Sequence, residues 1–267
     1  MHTKQSIIEQ LYQMGAPKGK HVIVHVSLKA VGEVENRAQG LLDAFIEYFT
    51  SDGGLLIVPT HTWENFYQGK QIVLDMTETN TCIGTFPNVA LCDGRGIRTD
   101  NPTHSVVVFG DRERVEEFIK GDSETDTPTS PLGVYGKIFN QDGYVLLVGV
   151  GHDKNTSIHC IDEMLNLPNR LSSNRADMKV KYVDGSVKTK KFYYMISDVI
   201  EDVSLFYPKY QPAFESVGAI THGKVGSANA QLCSAKKMEN VIKTIYKRTN
   251  GVEIMADDVP LKKEWYE

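Results

Sequence analysis

The amino-acid sequence predicts an α/β fold: a mixed, mostly parallel sheet flanked by helices on both faces (α/β/α), with an antiparallel hairpin added. Short apolar runs typical of buried strands alternate with amphipathic helical stripes, and helices between strands favour parallel neighbours. Asp184-Gly185, between two strand-like segments, is the commonest signal for a two-residue hairpin. The chain has 267 residues and no linker of biased composition, so we expect residues 1–267 to form a single domain.

The first half of the chain alternates helix and strand. An amphipathic helix at 1–15 precedes a strand at 20–27, whose successive side chains point to opposite faces. The apolar stripe over 38–49 predicts a second helix, and 55–58 a second strand. A polar, aromatic loop follows over 60–92, and loops of that length often bind ligands.

The second half continues this alternation and ends in the hairpin and a helix. The run at 144–150 shows no polar alternation, which indicates a strand buried on both faces. The elements predicted here are a strand at 105–110, a polar helix at 111–120, the strand at 144–150, a helix that ends at Pro168, hairpin strands at 178–183 and 187–194, a short helix at 199–206, an extended stretch at 224–233 and a last helix at 238–246.

Composition bounds the class of protein. No stretch approaches the roughly 18 apolar residues of a membrane span. Residues 1–15 lack the continuous apolar core of a signal peptide, so we expect a cytoplasmic protein without a membrane partner. The net charge of −5 disfavours a nucleic-acid partner and favours a small cationic one. The oligomeric state stays open, with a homodimer as one candidate.

His159 is the first candidate for chemistry. It lies in the first turns of the helix that follows the 144–150 strand, and this position is where open α/β sheets place their ligands. A general base needs an imidazole that an acid orients. Asp162 and Glu163 lie three and four residues on, on the same helix face. Asp153 lies in the preceding turn and is a third candidate orienter, and Asp198 further downstream is a fourth.

Other chemistries remain as alternatives. Cys160 could be a nucleophile, but adjacent helix residues do not face each other and buried structural cysteines are commoner. No serine lies in a G-x-S-x-G elbow. Several histidines suit a zinc site, although neither an H-E-x-x-H pattern nor a C-x-x-C spacing appears, and we expect no metal. These histidines are His21, His25, His61, His104, His152 and His159.

Two segments could cradle a ligand with backbone groups. Ser27–Gly32 leaves a strand, precedes a helix and carries Lys29, while 103–105 precedes another strand. Free N–H groups and hydroxyls at such turns suit a ligand that carries amides and phosphates. Ordinary satisfaction of turn groups is the alternative interpretation.

Seven segments in order resemble the aminoglycoside 3-N-acetyltransferases, whose antibiotic N-acetyltransferase fold is distinct from the GNAT fold. They cover nearly the whole chain, and their order is more specific than any one of them. The segments are His25-Val-Ser-Leu-Lys-Ala-Val-Gly32, Gly53-Gly-Leu-Leu-Ile-Val-Pro-Thr60, Asn101-Pro-Thr-His-Ser105, Ser130-Pro-Leu-Gly133, Tyr144–Gly149, Thr156-Ser-Ile-His159 with its acid three on, and Gly223-Lys-Val-Gly-Ser-Ala-Asn229.

The resemblance implies direct transfer of acetyl from acetyl-CoA to the 3-amino group of a 2-deoxystreptamine aminoglycoside. It implies that His159 is the general base, that Asp162, with Glu163 adjacent, takes the place of a glutamate, and that Asp153 matches an acid of the preceding turn. A backbone N–H of the Ser27–Gly32 turn would stabilise the oxyanion. The residues implied to bind the cofactor are Ser27, Leu28, Lys29, Ala30, Val31, Gly32, Thr60, His104, Ser105 and Ser130.

Three positions depart from the family pattern. Val26 stands where a serine is usual, Asn101 precedes Pro102 where a histidine is usual, and Asp162 stands where a glutamate is usual. These departures keep other functions open. The alternatives are acetylation of another amino sugar or small amine, non-catalytic CoA binding, and a metal-dependent hydrolase.

Overall fold

The computed structural model describes residues 1–78, 80–196 and 202–267. The strands are β1 (His21–Val26), β2 (Leu55–Pro59), β3 (Leu74–Asp75), β4 (Ile97–Arg98), β5 (Val106–Phe109), β6 (Tyr144–Val148), β7 (Ala176–Lys181), β8 (Val187–Phe192), β9 (Ile220–Val225) and β10 (Ala228–Ser234). The helices are α1 (Lys4–Gln13), α2 (Leu28–Val31), α3 (Arg37–Thr50), α4 (Trp63–Tyr67), α5 (Thr85–Cys92), α6 (Arg112–Ile119), α7 (Val134–Asn140), α8 (Ser157–Met164), α9 (Gln211–Ser216) and α10 (Ala235–Arg248).

A seven-stranded mixed sheet forms the centre, in the order β4-β5-β2-β1-β6-β10-β9. This confirms the predicted mixed α/β architecture. The parallel part is smaller than predicted: within this sheet and the described residues, the parallel pairs are β1 with β2 and β1 with β6. The outer pairs are antiparallel. Parallel pairing needs a long crossover such as α3, whereas the short turn between β9 and β10 can only reverse the chain.

Helices cover both faces of this sheet, as predicted. On one face Val22 and Val24 of β1 pack with the apolar sides of α1, α3 and α5. On the other face Ile23 of β1 and Leu147 of β6 pack with α7, α8, α9 and α10. β1 and β6 are therefore buried on both sides, which explains why their sequences are almost continuously apolar.

The predicted hairpin at Asp184-Gly185 is present as β7 and β8, with Lys181 opposite Val187. It does not extend the main sheet, contrary to expectation. Instead β7 pairs in parallel with β3, and the three strands form a separate sheet. Val73, Met178 and Phe192 form a small apolar cluster of their own beside this sheet. β3, the strand that pairs with β7, lies inside the 60–92 segment, which the sequence predicted to be a loop.

Two other segments differ from expectation. The 60–92 segment contains α4, β3 and α5, and the extended stretch at 224–233 spans the turn of a hairpin, with Gly226 at φ +60°. The helix predicted at 199–206 lies partly outside the described residues, and its described part belongs to a 3₁₀ helix, Val203–Tyr210. No helix within the described ranges has the length and apolarity needed to cross a membrane.

Candidate active site

A cavity of about 850 Å³ opens at the carboxyl ends of β1, β2 and β6. This edge is where the alternation of strands and helices predicts a ligand. Polar groups come from the strand ends, and aromatic groups come from α4 and from the segment after β8. The lining residues that matter below are His25, Ser27, His61, Trp63, Tyr67, His104, Asp153, His159, Arg170, Tyr194 and Asp202.

Gly149 lets the end of β6 approach α2 closely. Its φ is +64°, and a Cβ placed there would stand 2.3 Å from the Cβ of Ala30. Only glycine fits both the backbone conformation and the contact. The close approach brings Ser27, at the start of α2, and His159, in α8, to the walls of one cavity.

Among the described residues, His159 contacts a tyrosine hydroxyl through Nδ1 and does not contact a carboxylate there. Its Nδ1 lies 2.8 Å from the hydroxyl of Tyr207, which donates to Oδ2 of Asp162 at 2.7 Å. Nε of Arg170 donates to the same carboxylate oxygen at 3.0 Å, and its guanidinium also pairs with Glu253 at 2.8 Å. His159, Tyr207, Asp162, Arg170 and Glu253 therefore form a continuous chain of polar contacts.

Burial determines the protonation states of His159 and Asp162 in this series of polar contacts. Burial lowers the pKa of His159 to about 4, with Asp202 opposing the shift and Arg170 adding to it, so the imidazole is neutral at neutral pH. Burial raises the pKa of Asp162 to about 6, against the attraction of Arg170 and the hydrogen bond from Tyr207. Asp162 is therefore ionised at neutral pH and accepts both hydrogen bonds.

The other two carboxylates predicted near His159 have different surroundings. Asp153 lines the cavity and pairs with Lys154 at 3.1 Å. Glu163 turns to another segment, where it accepts hydrogen bonds from the Thr127 hydroxyl at 2.5 Å and from the backbone N–H of Thr129 at 2.9 Å. The fourth candidate, Asp198, lies outside the described residues.

Glu163 is expected to serve stability and not turnover. Glu163→Ala leaves the hydrogen-bond donors of Thr127 and Thr129 without their acceptor, which should cost about 1–3 kcal/mol of the free energy of unfolding. Any turnover by the folded protein should stay within about twofold, because the carboxylate does not reach His159. Urea unfolding and kcat check this, with Glu117→Ala, at an exposed helix position, as the control. A large loss of kcat in folded Glu163→Ala would contradict it.

Three further imidazoles line the cavity. His61 and His104 lie with ring centroids 4.4 Å apart, and Nε2 of His61 contacts the Tyr135 hydroxyl at 3.0 Å. Nε2 of His25 is buried and has no hydrogen-bond partner in the part of the chain that the structure describes. Burial lowers the pKa of His25 to about 4 and, with a smaller effect of His159, that of His104 to about 3. The cavity wall is thus neutral at these positions.

The other two histidines considered for a zinc site, His21 and His152, do not line the cavity. His21 packs against Phe118 and His152 against Phe214, each with ring centroids 5.0 Å apart. Across 1–78, 80–196 and 202–267, no group of three or more His, Cys, Asp or Glu side chains is placed to hold a metal ion.

Of the residues predicted to bind the cofactor, Ser27 and His104 line the cavity. The side chains of Thr60 and Ser105 are fully buried and bond to each other at 3.1 Å. The hydroxyl of Ser130 accepts from the N–H of Leu132. The others, which form α2 and its end, are Leu28, Lys29, Ala30, Val31 and Gly32.

Asn101, one of the departures from the family pattern, holds His104 in place. Its side-chain oxygen accepts from the N–H groups of Thr103 and His104 at 3.2 and 2.9 Å. Its amide nitrogen donates to the carbonyl of Pro128 at 3.0 Å. Asn101 therefore fixes the turn that leads into β5.

Sequence reasoning missed Tyr207 and Arg170. Tyr207 lies 45 positions after Asp162, and no local pattern links the two. Arg170 follows α8 closely, beyond Pro168, and an arginine so near two helix carboxylates was the one available signal. The aromatic wall formed by Trp63, Tyr67 and Tyr194 was also missed as a unit, because two segments far apart in sequence supply it.

The mixed sheet between two helical layers, with a cavity at the carboxyl ends of its central strands, is the fold of the antibiotic N-acetyltransferases, a class of acyltransferases. The chain belongs to the aminoglycoside 3-N-acetyltransferase family, whose family model matches residues 23–247.

Known proteins agree with this assignment. The SPbeta prophage-derived aminoglycoside N(3')-acetyltransferase-like protein YokD of Bacillus subtilis (strain 168) is 27% identical over 256 residues, which cover 87% of this chain and 88% of that protein. Its crystal structure gives a TM-score of 0.77 at 22% identity and covers 95% of this chain and 96% of its own.

Two further structures share the fold. A histidine-to-alanine mutant of aminoglycoside acetyltransferase AAC(3)-IVa in complex with gentamicin gives a TM-score of 0.74 at 22% identity, covering 93% of this chain and 90% of its own. The binary complex of AAC-IIIb with CoASH gives 0.76 at 17% identity, covering 92% and 97%.

Proposed function

We propose that this protein transfers acetyl directly from acetyl-CoA to an amino group, in the first instance the 3-amino group of a 2-deoxystreptamine aminoglycoside. His159 is the general base in this proposal. The observation that carries it is the position of His159, which lines the cavity while its Nδ1 contacts the Tyr207 hydroxyl. The CoASH and gentamicin complexes of relatives support the two substrates.

The hydrogen bonds support Nε2 as the basic atom of His159. Tyr207 has one hydroxyl hydrogen and donates it to Asp162, which only accepts while it is ionised. The contact between Tyr207 and His159 then requires Nδ1 to carry the hydrogen. Nε2 keeps the lone pair, and a neutral imidazole at neutral pH can accept a proton there.

The reaction balances with these groups. The acceptor amine attacks the thioester carbonyl, a C–N bond forms, and Nε2 of His159 takes the amine proton. The tetrahedral intermediate then collapses, the C–S bond breaks, and the imidazolium returns the proton to the CoA thiolate. The carbonyl oxygen needs donors while it carries negative charge. The N–H groups of Leu28 and Lys29, in the first turn of α2, have no acceptor within that helix and suit this role.

The acceptor would lie against the carboxylates and aromatic rings of the same cavity. Asp153 and Asp202 can hold ammonium groups of a cationic sugar. Trp63, Tyr67 and Tyr194 favour a second candidate, a smaller amine with an apolar body. The chemistry at His159 is the same for both acceptors.

Release of free thiol from acetyl-CoA tests the proposal. We expect turnover with a deoxystreptamine drug such as gentamicin, and mass spectrometry should show one added acetyl group. Turnover only with simple amines would retain the acyl transfer and replace the acceptor. Tight CoA binding without transfer to any amine in a broad panel would contradict the enzymatic proposal and favour a CoA-binding protein.

Addition of a metal chelator to the same assay tests the alternative that the protein is a metal-dependent hydrolase. Acetyl transfer should be unaffected by EDTA, because no step assigned here uses a metal. Activity that disappears with chelator and returns with zinc would favour a metal-dependent hydrolase.

A further inference from the structure

The link between His159 and Asp162 is a single hydroxyl group. Tyr207 is fully buried, and its ring meets that of His159 edge to face, with centroids 5.0 Å apart. Its hydroxyl lies 2.8 Å from Nδ1 of His159 and 2.7 Å from Oδ2 of Asp162. Among the described residues these contacts give His159 no carboxylate partner of its own on Nδ1.

We propose that Tyr207 is a positioning residue, through which Asp162 fixes the tautomer and ring orientation of His159. This inference rests on the proposed role of His159 as the base. A carboxylate three residues along a helix reaches the same face as the histidine, yet here its Oδ2 is occupied by Tyr207 and Arg170. The tyrosine therefore transmits the orienting effect of Asp162 to the imidazole.

The far end of the chain of contacts is anchored outside the segment typical of the family. Arg170, which holds Asp162, is itself held by Glu253, at 3.0 Å from Nη2 to Oε1. Glu253 lies beyond the residues 23–247 that the family model matches. Glu253 also accepts from the N–H of Met255 at 2.7 Å, so its carboxylate has a fixed place. Each member of the chain thus has a partner that limits its movement.

Tyr207 is held by its own element as well. It belongs to the 3₁₀ helix Val203–Tyr210, which begins with Asp202 as its N-cap, the side chain accepting from the N–H of Ser204 at 2.9 Å. Proteins often fix a functional imidazole in this way, through a group that bonds to its other nitrogen. A rigid tyrosine costs little conformational entropy in this role, because its ring is already packed.

The structure provides a matched control for removing this hydroxyl. Tyr210 lies in the same 3₁₀ helix and is fully buried, and among the described residues its hydroxyl makes no hydrogen bond to His159 or Asp162. Its side chain lies beside that of Tyr246 instead. Tyr207→Phe and Tyr210→Phe therefore remove the same atom from similar surroundings. We expect Tyr207→Phe to lower kcat by ~10- to 100-fold, a part of what a general base contributes, with an unchanged KM for acetyl-CoA. Tyr210→Phe should retain kcat within about twofold.

The pH profile separates positioning from a merely structural effect. Among the described residues, the titratable or charged groups near His159 are Asp202, Arg170, Tyr207 and the imidazoles of His61 and His104. Asp162, with a pKa of about 6, loses its charge first as pH falls, while His159, with a pKa of about 4, stays neutral. Wild-type kcat should therefore fall through about pH 6. Tyr207→Phe should lack that limb, because Asp162 no longer reaches the base.

A measurement on the wild-type protein does not depend on activity or on a variant that folds. Nitrogen-15 NMR of labelled histidine should show His159 protonated on Nδ1 at pH 7, and this result would support the inference even if no acceptor is found. The Nε2-protonated tautomer would overturn it. Equal losses of kcat in both tyrosine variants, or an unchanged limb near pH 6 in Tyr207→Phe, would also overturn it.

Discussion

Replacement of His159 by alanine should reduce kcat by ~10²- to 10⁴-fold, the range that a positioned general base contributes. The amine nitrogen must lose a proton as its bond to the carbonyl carbon forms, and Nε2 of His159 is the acceptor that the hydrogen bonds leave available for that proton. The affinity for CoA should change little, because His159 is not among the residues implied to bind the cofactor, most of which lie in Ser27–Gly32. Steady-state release of thiol gives kcat, and calorimetric titration with CoA gives the affinity.

The chain offers a histidine with no part in the cavity as the control. His222 lies on edge strand β9, its side chain is 60% exposed, and its Nε2 lies 3.4 Å from Glu215. His222→Ala should retain full turnover. If His159→Ala turned over acetyl-CoA at a near-normal rate, another group would be the base, and the cavity imidazoles of His25 and His104 would be the next candidates.

Local sequence patterns predicted the position and type of the helices and strands that have a clear apolar periodicity. The helices α1, α3 and α10 and the strands β1 and β6 lie where their apolar spacing placed them. Pairing between distant strands is a tertiary outcome, and no spacing in the sequence encodes it. The sequence therefore suggested more parallel pairing than the sheet contains, and it placed β7 and β8 on the wrong sheet.

The residues of the site also divide into those that a local pattern predicts and those that only tertiary packing brings together. His159 could be found because it follows a Gly-rich strand exit, a local feature. Its orienting partner could not, because Tyr207 approaches through the packing of a distant segment. Asp162 and Glu163 show the limit of helical spacing: the residues are adjacent, so their side chains diverge, one toward Tyr207 and Arg170 and the other toward Thr129.

A hydroxyl group near a strand end is weak evidence that the residue binds a ligand. The resemblance implies that Thr60 and Ser105 bind the cofactor, and in the structure their buried hydroxyl groups bond to each other. A buried polar group must find a partner, and a neighbouring strand supplies one as readily as a ligand does. Only the exposure of a group to the cavity separates these two roles, and exposure is not written in the local sequence.

Asp162→Ala should have the largest effect on stability. Asp162 is 1% exposed and Arg170 7% exposed, and removing one partner of a buried ion pair leaves the other charge poorly compensated. The general cost of such a change is about 3–5 kcal/mol, and the lower end is expected because Arg170 keeps Glu253. Urea unfolding at pH 7 measures this loss.

The exposed pair between Lys191 and Asp177 provides the comparison, at 3.1 Å with both side chains more than half exposed. Asp177→Ala should change the free energy of unfolding little, because water screens such pairs. A loss in Asp162→Ala no larger than in Asp177→Ala would mean that Arg170 is fully satisfied without Asp162. In that event Asp162 would be present for His159 and Tyr207 alone, and folded Asp162→Ala would still lose kcat. If it lost neither stability nor kcat, the proposed chain of contacts behind His159 would have no functional role.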